Sequence, residues 1–195
     1  MKTILISKSG SHKVDINKDE SARVLILQIK NLIKPLVVDI NLNGTNSNAD
    51  IFNCFVGHQD IAQNLDIKIN HNAHYTRANF CAKGIMKDHS KANFTGLIKV
   101  KRGSQNTDSF LEHRTLMLSD NAEISPIPSL QIDANEVRAS HAATISNINE
   151  EDLFTLMSRG LNKLEAKNIL IKSFLNDVII KLPSNWQMKV LKLIS

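Results

Sequence analysis

The chain has 195 residues, enough for one domain or a domain with a small appendage, which excludes a large multi-domain enzyme. Apolar residues make up 42% and charged residues 22%, proportions that allow a packed core and argue against disorder along most of the length. The net charge of +5 comes from singly scattered lysines and arginines, and only 5% of residues are aromatic, so neither a basic nucleic-acid arm nor a platform for stacking bases is indicated.

The first residues, MKTILISKSGSHKVD, hold too short an apolar stretch for a signal-peptide core. The two cysteines, Cys54 and Cys81, therefore read as reduced thiols of a soluble, cytoplasmic chain. No apolar run reaches the roughly 18 residues of a membrane span, because Lys34, Asp39 and Lys181 interrupt the longest ones. From about residue 22 to 140 the apolar residues come in bursts or alternations. They are Val24-Leu25-Ile26-Leu27, then Val38, Ile40 and Leu42, then Leu65, Ile67 and Ile69, then the pairs Ile98/Val100, Leu116/Leu118 and Leu130/Ile132. Polar residues between them give the period of two that marks strands with one buried face. The last three pairs recur at intervals of 18 and 14, a rhythm suited to parallel strands stacked as rungs, although the rungs are not similar enough to be a repeat in the strict sense. Asparagine occurs 21 times against seven glycines. It tolerates the left-handed region, so many short turns are expected, with a biased residue usage as the plainer explanation.

The texture changes near residue 149. Asn149, followed by Glu150, Glu151 and Asp152, offers an N-cap with acids in the first turn, where the helix dipole favours them. Leu153, Phe154, Leu156 and Met157 continue at helical spacing, and Gly160 is placed to end the element. A second helix is predicted from about Leu164 to Lys181, with Leu170, Phe174, Val178 and Leu182 along one face. Pro183 stops it, and Ser184 caps a last short helix carrying Trp186, Val190, Leu191 and Ile194. The predicted layout is a strand body over residues 1–148 and a helical segment over 149–195. So small a segment must pack on the body or on another protein, with Trp186 and Phe174 as anchors if part of its face serves a partner.

Little in the chain signals catalysis. There is no GxSxG elbow, no phosphate loop of the GxxxxGK[ST] type and no GxGxxG fingerprint, so no nucleotide is expected on this chain and it does not read as an enzyme. His71, His74 and Cys81 lack the spacing of a zinc ligand set and fit a polar turn after the Ile67/Ile69 strand. Cys54 and Cys81, each next to phenylalanine, read as small buried hydrophobes. His141 stands between the strand body and the helices with alanines after it. An imidazole can bind a metal or pass a proton, or can simply belong to a hydrogen-bonded structural residue. A polysaccharide-cleaving coil would need facing carboxylates, which the scattered Asp and Glu permit without indicating.

The stretch from Gln105 to Gly160 resembles the SufB/SufD family, scaffold subunits of the SUF iron–sulfur cluster assembly machinery. The likeness is carried by Leu116 to Asp120, Ala122, Pro128, Leu130, Ile132, Ser140 to Thr144 and Leu153 to Gly160, and it extends weakly back to about residue 70. Within the family it leans to SufD, since Ile132 stands nine positions before His141 where SufB-type chains look to carry cysteine. Three departures are Ala139, where SufD sequences often have cysteine, Ala142, where the motif has glycine, and a long N-terminal region of SufD that this sequence does not show, so that a minimal core is expected. The resemblance implies a mainly β fold, a right-handed parallel β-helix with a C-terminal α-helical segment. It implies a transient iron–sulfur cluster at a subunit interface, with His141 as metal ligand or proton relay. It also implies a SufB-like subunit or a second copy as partner, and a SufC-like ATPase docked through Leu153, Phe154, Arg159, Gly160 and Phe174. The alternative is a divergent homodimeric scaffold or a basic interaction module without cluster chemistry. Neither nucleic acid nor membrane is expected as a partner.

Overall fold

The computed structural model describes residues 1–31 and 34–194. Eleven strands are followed by three helices among them. Odd-numbered strands form one sheet in the order β1 (Lys2–Ile6), β3 (Ser21–Gln28), β5 (Asn48–Gly57), β7 (Arg77–Met86), β9 (Thr107–Met117), β11 (Val137–Asn147). Even-numbered strands form a second sheet in the order β2 (Gly10–Ile16), β4 (Leu36–Leu42), β6 (Ala62–His71), β8 (Lys91–Val100), β10 (Glu123–Ile132). Every pairing is parallel, so the chain winds as a β-solenoid with two strands per rung. Strands β1 and β2 precede the region read as strands from sequence. The 18- and 14-residue intervals are half-turns between the two sheets. Together they make the offset that pairs Val100 with Ile132.

Inward side chains of both sheets fill the coil, with Val24, Ile26, Leu36, Val38, Ile40, Ile51, Ile67, Phe80 and Ile98 among those sealed from solvent. The even sheet shows its other face to water, hence the strict alternation of β4 and β6. The odd sheet is buried on both faces over the C-terminal halves of β3, β5 and β7. Leu25, Leu27, Cys54, Val56, Ile85 and Leu116 on its outer face meet Ile171, Leu175, Val178, Ile179, Val190 and Ile194 of the helices in a second core. Each such aliphatic side chain removed from water contributes about 1.5–3 kcal/mol, so the helices are a working part of the fold.

Asparagines do two jobs. Asn46 and Asn106 hold positive φ in turns, as do Asp19, Tyr75, Gln59 and Asp88. More of them stack in ladders on the water side of the even sheet. Asn70 donates to Asn41 and Asn41 to Asp15; Asn72 donates to Asn43 and Asn43 to Asp15; Asn93 donates to Asn64. The amide lends itself to this because it carries donor and acceptor at once and can pass a bond from rung to rung.

The coil ends at Asn147 and Asn149 caps α1 (Glu150–Ser158) by accepting from the backbone N–H groups of Glu151 and Asp152. Gly160, at φ +96°, then turns the chain. A capping box between Asn162 and Glu165 opens α2 (Lys163–Ile179), and α3 spans Ser184–Ile194. The buried side of α2 is rotated from the expected Leu170–Phe174 face, since Ala166, Ile171, Leu175, Val178 and Ile179 are its fully buried residues. Among the described residues no helix is long and apolar enough to cross a membrane.

Candidate functional site

The last rung, β10 with β11, forms an open mouth. Register sets what faces it. His141 pairs with Leu111, which fills the coil one rung below, and Ala139, Ala143 and Ile145 pair with Ser109, His113 and Thr115. These positions of β11 share the inward face, and on the final rung that face is the mouth. Across it stand Pro126, Pro128, Leu130 and Ile132 of β10, in register with core residues Phe94, Gly96, Ile98 and Val100. His141 is exposed, and Leu130, Ile132 and Ile145 are at least a third exposed.

The two edges of the mouth differ. In a parallel ladder a residue directs its N–H and C=O to the same side, and successive residues alternate. Glu123 and Asp133 at the two ends of β10 both donate to the β8 rung, so its even-numbered residues direct their N–H groups to the free edge. Two of those positions are Pro126 and Pro128, which have no N–H to offer. In β11, Glu136 at the strand's start directs its carbonyl to Asn106 below, so the odd-numbered residues Ala139, His141, Ala143 and Ile145 face the free edge. From Ala139 to Ile145 that edge keeps its backbone donors and acceptors. A proline pair inside a strand was a legible signal of a blocked edge, and the sequence reading passed over it.

The structure separates the other candidates. His71 is not in a polar turn: it ends β6 fully buried, its Nδ1 2.8 Å from Thr76 Oγ1, and burial pushes its pKa down to about 4. His74 is exposed in the turn beyond. Cys54 is sealed in the second core, and burial pushes its thiol up to about 12. Cys81 is half-buried, and burial together with the nearby Glu112 carboxylate raises it to about 11. Neither is a thiolate at neutral pH. Among the described residues no three His, Cys, Asp or Glu side chains lie close enough to hold a metal ion. One imidazole at the mouth can give a metal one ligand and no more.

Of the helix residues, Leu153 is buried and α1 packs on α2, so it supports its helix from beneath. Phe174 and Trp186 are half-buried against the second core. The cations of Lys83 and Arg114 lie 5.5 and 5.7 Å from the Phe174 ring centre, and Lys83 pairs with Asp177, tying α2 to the sheet. Phe154, Arg159 and Gly160 are exposed, with Phe154 71% accessible.

Comparison with known proteins places this geometry. Residues 6–174 match the family model described as SUF system FeS cluster assembly, SufBD core domain. The iron–sulfur cluster assembly protein SufD of Bacillus subtilis is 34% identical over 143 residues, 73% of this chain and 33% of that protein. SufD of Escherichia coli is 32% identical over 133 residues, 68% of this chain and 31% of that protein. A SufBD family protein of Synechocystis is 38% identical over 101 residues, 52% of this chain and 22% of that protein. The chain thus spans a third or less of the length of these relatives. A parallel solenoid whose residues 6–174 match this core belongs to the SufB/SufD family, and its homology is SufD-like.

Proposed function

We propose that this chain is a SufD-like scaffold subunit of a SUF assembly complex, helping to form the interface on which an iron–sulfur cluster is built. The observation that carries this reading is His141, exposed at the centre of the one mouth strand whose edge is free to pair. A partner strand added along Ala139, His141, Ala143 and Ile145 gains main-chain bonds from an edge already set in place, and it brings its own side chains beside the imidazole. The cluster is cargo. Iron takes imidazole and thiolate ligands, and a single imidazole holds a growing cluster weakly enough to release it.

The sulfur ligands must come from elsewhere. The inward face of β11 bears Val137, Ala139, His141, Ala143 and Ile145, with no cysteine, while Cys54 and Cys81 lie on the outer face of the odd sheet. A pair of identical chains would bring two imidazoles and no thiolate, which favours a cysteine-bearing SufB-like partner over a second copy. A SufC-like ATPase would dock on the helical segment, with Phe154, Arg159 and Gly160 as contact surface and Leu153 and Phe174 holding the helices to the coil. Its movements would act through the α2 contacts with the odd sheet by preferring one arrangement of the interface.

Replacing His141 with Ala tests the reading. The side chain is exposed, so the thermal midpoint should not move, while cluster build-up in the anaerobically reconstituted complex should fall at least about tenfold. Undiminished build-up removes the assignment. For the ATPase, Phe154→Asp is the informative change, because deleting the helices would uncover the second core. Undisturbed SufC capture by that variant counts against the docking surface.

A further inference from the structure

Below the mouth, a buried polar cluster reaches across several rungs of the coil, from β3 and β5 to β6 and β9. Gln28, Asn53, Gln63 and His113 are each no more than 3% exposed. Asn53 donates to Gln28 Oε1 at 3.2 Å, and the Gln63 amide nitrogen donates to the carbonyls of Gln28 and Val56 at 3.1 and 3.2 Å. With its nitrogen committed to two carbonyls, the Gln63 amide cannot be turned over, and its oxygen is an acceptor. Three atoms have no protein partner: Asn53 Oδ1, Gln63 Oε1 and His113 Nδ1. The imidazole lies between the rings of Phe55 and Phe94, with centroids 5.2 and 4.5 Å away. Gly84 makes this possible, since a Cβ there would come within 2.3 Å of the Phe55 ring.

These four polar residues surround a chamber of about 10 Å³, the space of a single water-sized occupant. Ala92, Asn93 and Ile124 wall it on one side. The same three residues wall a surface groove beside Glu123, Ser125 and Ile145 at the mouth. Apolar surroundings make bare acceptors unfavourable, so the chemistry calls for an occupant that donates at least two hydrogen bonds from one heavy atom.

We propose that the chamber is a binding site for one small hydrogen-bond donor, a water molecule or an ammonium ion, held by Asn53 Oδ1, Gln63 Oε1 and His113 Nδ1 and exchanged through the groove past Asn93 and Ile124. The two sources differ in protons. Water has two to give, so it satisfies both amide oxygens and accepts from a protonated Nδ1. Ammonium has four, so it satisfies both amides and an unprotonated Nδ1 as well. The site is independent of any role for His141.

The test uses the full 195-residue chain. The His113 tautomer is read by ¹⁵N NMR, the thermal midpoint is compared in ammonium and tetramethylammonium chloride at equal ionic strength, and a high-resolution crystal structure shows the chamber. An ordered oxygen with Nδ1–H and no ammonium dependence identifies water. An unprotonated Nδ1 with a midpoint raised by roughly 3 °C in ammonium, lost in Asn53→Leu or Gln63→Met, identifies the cation. A chamber without density and without ammonium dependence overturns the site. The tautomer and density are read on the unaltered chain, so the test stands even if neither variant folds.

Discussion

The two sheets of the coil are built from strands of similar length and stacked by the same parallel register, yet they end differently and face different surroundings. Where helices cover its outside, the odd sheet carries apolar side chains on both faces, and it finishes in β11 with an edge free of proline. The even sheet carries amide ladders on its water side and finishes in β10 with prolines at two outward N–H positions. The difference shows how one repeating scaffold gives its two sheets different surfaces and different edges. The covered sheet is anchored to the helices and keeps a pairing edge, whereas the bare sheet is made polar and its edge is blunted.

Breaking the comparison on the outer faces should give the largest effect. Val56→Asp places a carboxylate in the dry second core and should cost at least about 4 kcal/mol, separating the helices from the coil. Val37→Asp, on the water side of the even sheet, should cost under about 1 kcal/mol. Urea denaturation of both variants reads the contrast, and equal costs would mean that the helices do not seal the odd sheet.

On the inner faces the two sheets should behave alike. His71 of the even sheet and His113 of the odd sheet both have folded pKa values pushed by burial from 6.5 to about 4. Between those values the unfolded chain binds the extra protons. Stability is therefore full above about pH 6.5 and declines as pH falls toward 4, by at most on the order of 3 kcal/mol per imidazole. Urea midpoints at pH 7.5 and 4.5 check this, and a flat profile would mean that neither ring is neutral in the fold.

The smallest change separates the two edges. Ala143→Pro removes one outward N–H from β11 in the way Pro126 and Pro128 remove theirs from β10, without breaking a bond to β9. It should leave the thermal midpoint nearly unchanged and weaken association with a SufB-like partner about tenfold. Pro126→Ala should leave that association unaltered. An equal response of both variants would remove the distinction between the edges.

Parts of this arrangement were legible in the residues. The unbroken run Val24–Leu27 and the alternation Val38, Ile40, Leu42 both read as strands with one buried face; that the run is buried on both faces shows only once its helical cover is in place. The caps at Asn149 and Gly160 were readable because they depend on neighbours a few residues away. His71 was misplaced because its burial depends on residues such as Thr107, a full rung away. The asparagines misled in part. Turn preference is local, but a ladder from Asn72 through Asn43 to Asp15 exists only once the rungs are in register.

Periodicity, caps and motif residues, all short-range properties, were enough to determine strands followed by three helices and to single out His141. Only the tertiary structure decided that its ring stands at an open mouth, that one mouth edge is blocked while the other is free, and that polar residues from β3, β5, β6 and β9 line one small chamber. Those outcomes depend on register across roughly thirty residues per rung, which stacking of the whole coil sets and no local preference encodes.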